Sequence, residues 1–310
     1  MNINITSACP GAVSGHAFLY KGECMLSINT WAFDPTLTFA QRVSAASTAG
    51  FKAVEINFEE GHEEIPLLTW DTPSSTLHEM QKTLEDHGCV ASGVCTELFW
   101  HYSLASSDPV ERQKSRDLTL KMVEYAAALH APSIVVIPGI LCSPRELGTT
   151  IRQQSSMDVW TRAVDEVQCL AEQAKKMGVV LGIENVHFNS FLVSPLELRS
   201  FITTVNHPFV KAHLDVGNAN IAGAAHDWID VLGGNICAVH VKDTIQWQSN
   251  LDTFRPLGCG NVDWDAVKAS LTRIRYDGFL TVEQSFNRKL PSGAFLRSLF
   301  ETASKLLSGE

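Results

Sequence analysis

The sequence predicts an α/β fold, a single (β/α)8 TIM barrel, and three observations predict it. Eight short runs rich in Val, Ile and other strand formers recur along the chain, and each is followed by a longer helical pattern. The runs are nearly continuous in apolar residues, as parallel strands covered by helices must be. No G-x-G-x-x-G or Walker sequence follows an early strand, so an open doubly wound sheet with a phosphate turn has no support. Eight β-then-α units close most economically into a barrel.

In chain order the strand candidates are Leu26–Trp31, Lys52–Phe58, Cys89–Cys95, Ser133–Pro138, Val179–Glu184, Val210–Val216, Ile236–Lys242 and Phe279–Gln284. Between and after them the helical patterns are Leu37–Ala49, Ser74–His87, Pro109–His130, Met157–Met177, Leu196–Val205, Trp264–Arg275 and Ala294–Leu307. A shorter, irregular helix is expected at Ala219–Leu232. Gly50, Gly88, Gly178 and Gly278 stand just before strands, where a left-handed helix cap is expected. Met25 precedes the first strand, so residues 1–24 are expected to form an N-terminal extension outside the fold, with disorder as one state open to it. Residues 25–310 are the barrel domain. No repeat or low-complexity tract interrupts it.

The 310 residues carry 24 Lys+Arg against 34 Asp+Glu, a net charge of −10. That balance disfavours a nucleic-acid partner, because affinity for phosphate backbones rests on Lys and Arg. No apolar run approaches the ~20 residues of a membrane span, so no membrane association is expected. The eight cysteines include no Cys-x-x-Cys pair, and they read as free thiols of a reducing compartment. The first 23 residues lack the basic start and apolar core of a signal peptide. A cytoplasmic protein is expected.

In such barrels chemistry sits at the C-terminal ends of the strands. There the fifth to eighth strand candidates carry Glu184, Asp215, His240 and Glu283. Period-two alternation turns these four inward while Ile183, Leu214, Val239 and Val282 face the helices. Any one of them alone reads as a cap, a loop ion pair or hydrogen-bonded filler. Three carboxylates at one mouth repel each other unless a cation or protons neutralise them. With one imidazole they suit a divalent metal ion, Mn²⁺ first, with Co²⁺, Mg²⁺ or Zn²⁺ as alternatives. Cys237 and His240 form a Cys-x-x-His, but an offset of three places them on opposite strand faces, so they are no zinc pair.

The quartet, together with His213-Leu214-Asp215-Val216-Gly217-Asn218, Val239-His240-Val241-Lys242-Asp243-Thr244 and the Arg255–Trp264 segment, resembles the sugar isomerase/epimerase group of the xylose-isomerase-like barrels. That group includes ketose 3-epimerases and the hexulose- and pentulose-phosphate epimerases. The resemblance covers nearly all of residues 25–308 and implies a metal-dependent epimerase or isomerase of a ketose or ketose phosphate. Glu184 and Glu283 would exchange a proton through a metal-stabilised enediolate while also holding the metal, and Asp215 and His240 would mainly hold it. The resemblance also implies that Arg255, in the family's R-x-x-G-x-G-x-x-x-W pattern, approaches the substrate. Phe99-Trp100-His101-Tyr102 would supply an aromatic wall, with Trp100 against the sugar. Asn218 stands where the D-tagatose-type enzymes have His, which points toward the phosphosugar branch. Lys242 either meets an anionic group of the substrate or pairs with Asp243. A homo-oligomer is expected from the resemblance alone. The alternative is a lyase or dehydratase acting on a keto-sugar or inosose through the same metal site. An apurinic-endonuclease-like enzyme is disfavoured by the acidic charge and the few strand-end histidines.

Overall fold

The computed structural model describes residues 24–60, 65, 67–142, 154–245 and 253–308. The extension expected at the N-terminus lies outside these residues except for Cys24, an exposed residue whose thiol donates to the Tyr276 carbonyl. Eight parallel strands close in the order β1 (Met25–Asn29), β10 (Phe279–Val282), β7 (Ile236–Val241), β6 (Val210–Asp215), β5 (Val180–Glu184), β4 (Ser133–Val136), β3 (Val90–Cys95) and β2 (Ala53–Asn57). A two-stranded antiparallel ribbon, β8 (Asp243–Thr244) and β9 (Phe254–Arg255), lies between β7 and β10 in the chain. The helices are α1 (Phe39–Ala49), α2 (Ser74–Asp86), α3 (Pro109–Ala128), α4 (Ser156–Met177), α5 (Pro195–Val205), α6 (Val216–Ala222), α7 (Ala225–Leu232), α8 (Trp264–Arg273) and α9 (Ser292–Ser308). The predicted barrel is the fold.

Local chemistry sets the boundaries. β1 stops at Asn29, short of the expected Trp31, because the Asn29 side chain accepts the Trp31 N–H and draws the chain into a 3-10 turn. α1 begins at Phe39, where Thr38 and Gln41 satisfy each other's backbone N–H in a capping box. The single helix expected over Ala219–Leu232 is two, α6 and α7, parted at Gly223 and Ala224. α6 starts directly from β6 because the Asp215 carboxylate accepts the Asn218 N–H. Gly50, Gly88 and Gly178 adopt the left-handed conformation expected of them, but Gly278 does not. At that turn the positive φ falls on Arg275, and Gly278 is needed for space: a Cβ there would lie 2.5 Å from the Tyr276 hydroxyl.

The strands divide their side chains sharply. Ile28, Val54, Ile56, Ile134, Leu181, Ile183, Leu214, Val239 and Val282 are fully buried in the apolar cluster shared with the helices, at roughly 1.5–3 kcal/mol each. The alternate positions include Ser27, Asn29, Glu55, Ser92, His213 and Thr281, all buried and polar. A polar barrel interior costs stability unless each group is paired. Here Ser27 pairs with Ser92, Asn29 with Glu55 and Glu55 with His240, whereas both ring nitrogens of His213 are buried without a hydrogen-bond partner among the described residues. Among the described residues no helix is long and apolar enough to cross a membrane, and the seven described cysteines are all free.

Candidate active site

Glu184 closes β5, Asp215 closes β6, His240 is the penultimate residue of β7, and Glu283 follows β10. Parallel pairing sets Glu184 beside His213, Asp215 beside His240 and His240 beside Thr281, two residues before Glu283, and the four side chains meet at the mouth of the barrel. One ligand atom from each of the four lies within 4.8 Å of the other three. His240 Nδ1 is 2.9 Å from Glu283 Oε2 and 3.8 Å from Glu184 Oε1. Lys242 Nζ donates to Glu283 Oε1 at 2.8 Å and to Asp215 Oδ2 at 3.3 Å. The four residues predicted from separate strands are thus brought together, with Lys242 among them.

Burial dominates the electrostatics. It pushes the Glu184 and Asp215 carboxyls above their usual range, with His240 countering at Glu184 and Lys242 at Asp215. Burial acts on Glu283 in the same sense, but Lys242 and His240 outweigh it and hold that carboxyl well below the usual range. Burial alone would discharge the His240 ring, yet Glu55 and Glu283 raise it well above an ordinary histidine. Burial, with His240 alongside, pushes His213 well below an ordinary histidine, with Glu283 countering. His240 Nδ1 and Glu283 Oε2 are buried without a hydrogen-bond partner although they face each other. Three carboxylates and one imidazole nitrogen with atoms left over for coordination fit a divalent cation.

Glu184, His240 and Glu283 of the quartet, with Lys242, line a cavity of about 300 Å³. Its walls include Trp31, Trp100, Phe188 and Phe254, with Glu97, His187 and Asn218 at polar positions. Trp100 stacks face to face on Phe188, 4.6 Å between ring centres. Its expected aromatic companions do not join it: Phe99 is buried in the core, His101 is exposed, and the Tyr102 hydroxyl bonds Glu60 and Lys114. Asn218 faces the cavity with its side-chain oxygen 3.0 Å from His187 Nδ1. Arg255 does not appear in the described cavity wall. Its guanidinium donates to the Phe254 carbonyl, and Phe254 takes the wall position, 4.5 Å from Lys242 Nζ.

The pairing of Lys242 with Asp243 does not occur, and the reason lies in the segment that follows. Asp243 accepts the backbone N–H groups of Gly258, Gly260 and Val262 and faces the Trp264 indole N–H at 3.5 Å. The G-x-G of this segment therefore wraps an internal carboxylate. A Cβ at Gly260 would lie 2.0 Å from Asp243 Oδ1, so only glycine fits there.

The profile of the family described as xylose isomerase-like TIM barrel matches residues 43–299. The chain belongs to this family. SgbU of Haemophilus influenzae, provisionally named an L-ribulose-5-phosphate 3-epimerase, is 23% identical over 81% of this chain and 85% of its own length. UlaE of Salmonella paratyphi C, an L-ribulose-5-phosphate 3-epimerase, is 22% identical over 78% of this chain and 81% of its own. Among solved structures, D-psicose 3-epimerase in the presence of D-fructose superposes with a TM-score of 0.74 at 17% identity, covering 92% of this chain and all of that one.

Within this xylose isomerase-like barrel, sequence reading missed several residues that the fold brings to the site. Glu55 on β2 contacts His240 Nε2 at 2.9 Å from across the barrel. Its signal was a charged residue between Val54 and Ile56 in an otherwise apolar strand. His187 and Phe188, just past Glu184, reach the cavity wall, as do Trp31 and Phe254. Nothing in their spacing marks them, because short segments outside the barrel strands place them: a 3-10 turn for Trp31, the stretch after β5 for His187 and Phe188, and β9 for Phe254.

Proposed function

We propose that the protein is a divalent-metal-dependent epimerase of a ketose or ketose phosphate that moves a proton at the carbon next to the carbonyl. The observation that carries this reading is the pair of carboxylates, Glu184 and Glu283, on strands separated by those of Asp215 and His240 and facing one cavity. A bound cation would polarise the carbonyl and stabilise negative charge developing on its oxygen. Asp215 and His240, both fully buried, would hold it with the two glutamates. Glu184 and Glu283 would then take the proton from one face of the carbon and return one on the other. Trp100 and Phe188 offer a flat apolar surface for the carbon face of a sugar. Lys242 would orient a substrate oxygen or anionic group beside Glu283. The relatives named as pentulose-phosphate and ketose 3-epimerases support this chemistry.

The test is solvent deuterium uptake. Mn²⁺-loaded protein incubated in D₂O with a panel of ketoses and ketose phosphates is expected to place deuterium at a single carbon and invert it. Absence of exchange across the panel, with the metal shown to be bound, rejects the reading.

A further inference from the structure

The geometry points to Glu55 as the residue that positions His240 for metal binding. This rests on the metal site proposed above. A neutral imidazole has one N–H and one lone pair, so the partner of one nitrogen dictates what the other presents. Glu55 Oε2 lies 2.9 Å from His240 Nε2, and the two residues are 1–2% exposed. A proton on Nε2 donated to Glu55 leaves the Nδ1 lone pair aimed at Glu184 and Glu283.

Glu55 is itself held. Asn29 Nδ2 donates to the same Oε2 at 2.6 Å. The other oxygen lies where a Cβ on Gly93 would come within 3.3 Å, so a larger residue there would press on the carboxylate. A carboxylate this deeply buried costs stability unless it is paired. An apolar residue at position 55 would pack the barrel without that cost but would leave His240 free to turn. Asn29, Glu55 and His240 therefore form a chain from the first, second and seventh strands that ends at the metal-facing nitrogen.

The experiment compares wild type, Glu55→Gln and Asn29→Ala, with circular dichroism and melting curves to verify the fold. Calorimetric titration of metal-free protein with Mn²⁺ is expected to show 10–100-fold weaker binding for Glu55→Gln, the usual effect of removing such a partner. Asn29→Ala keeps the carboxylate but frees it, and is expected to fall between the two. Zn²⁺-loaded protein with ¹⁵N-labelled histidine supplies a second readout. Wild type is expected to carry its His240 proton on Nε2, and Glu55→Gln to lose that single state. If Glu55→Gln does not fold, Asn29→Ala carries the test by itself. Unchanged Mn²⁺ affinity and an unchanged His240 signal in the folded variants overturn the role of Glu55 and leave the metal site standing. Failure of wild type to bind Mn²⁺ or Zn²⁺ overturns the metal site and this inference together.

Discussion

Lys242 places a positive charge 2.8 Å from Glu283 and 3.3 Å from Asp215, while among the described residues Glu184 pairs with the His240 ring, at 3.8 Å. The two candidate proton carriers therefore work in unequal surroundings. Replacing either glutamate by Gln keeps its size and an oxygen ligand but removes the proton-accepting role. Each change is expected to lower turnover by about 10²–10⁴-fold. One variant should still exchange the proton of the first epimer with solvent without inverting it, and the other should do so for the second epimer. Exchange and inversion both intact in Glu283→Gln would reduce that residue to a ligand. A pH effect follows from the same residues. Burial raises the Glu184 and Asp215 carboxyls, and Glu55 with Glu283 raises His240 against its own burial. His240, raised well above an ordinary histidine, carries a ring proton in the metal-free protein at neutral pH, and a cation must expel it. Mn²⁺ affinity is expected to rise with pH through the neutral range, with release of about one proton per ion. Titration calorimetry in buffers of different ionisation enthalpy checks this, and buffer-independent heats would contradict it.

The elements that carry the site are tied together by single side chains. Asp215 ends β6, caps α6 and faces Lys242, so strand, helix and chemistry share one residue. Asn185 exchanges two hydrogen bonds with the Asp215 backbone at 2.8 and 2.9 Å and locks the ends of β5 and β6 side by side. Beyond β7, Asp243 gathers the segment that returns Phe254 to the cavity. Removing it leaves several backbone donors without a partner, at about 1–3 kcal/mol for each one that stays buried. Asp243→Ala is therefore expected to lower the melting temperature by several degrees and weaken substrate affinity through the displaced wall. Gly260→Ala forces a carbon into the carboxylate and is expected to do the same. Melting curves and KM measured on both variants check it, and a wild-type melting curve for Gly260→Ala would contradict the packing described.

Taken as one molecule, the barrel gathers residues from distant parts of the chain around a buried excess of negative charge, which a cation would offset. Mn²⁺ at 100 times its dissociation constant is expected to stabilise the fold by about 2.7 kcal/mol, seen as a rise of several degrees in melting temperature. No shift at millimolar Mn²⁺ would count against the site. The eight-strand barrel was legible in the sequence because each strand and helix declares itself locally, through apolar periodicity and through caps such as Gly178. The quartet was legible for a related reason: Glu184, Asp215, His240 and Glu283 each stand at or within a residue of the C-terminal end of a recognisable strand, so closing the barrel brings them together. Tertiary structure decided the rest. Lys242 met Asp215 and Glu283 because Asp243 was already committed to the backbone of its own loop. Glu55 reached His240, 185 residues away, only because β2 and β7 face each other across the closed barrel. Phe254 walls the cavity while its neighbour Arg255 does not, since a short ribbon sets which side chain points inward. Periodicity along a chain records which face of an element is buried, whereas contacts across a barrel depend on how loops and closure orient those faces toward one another.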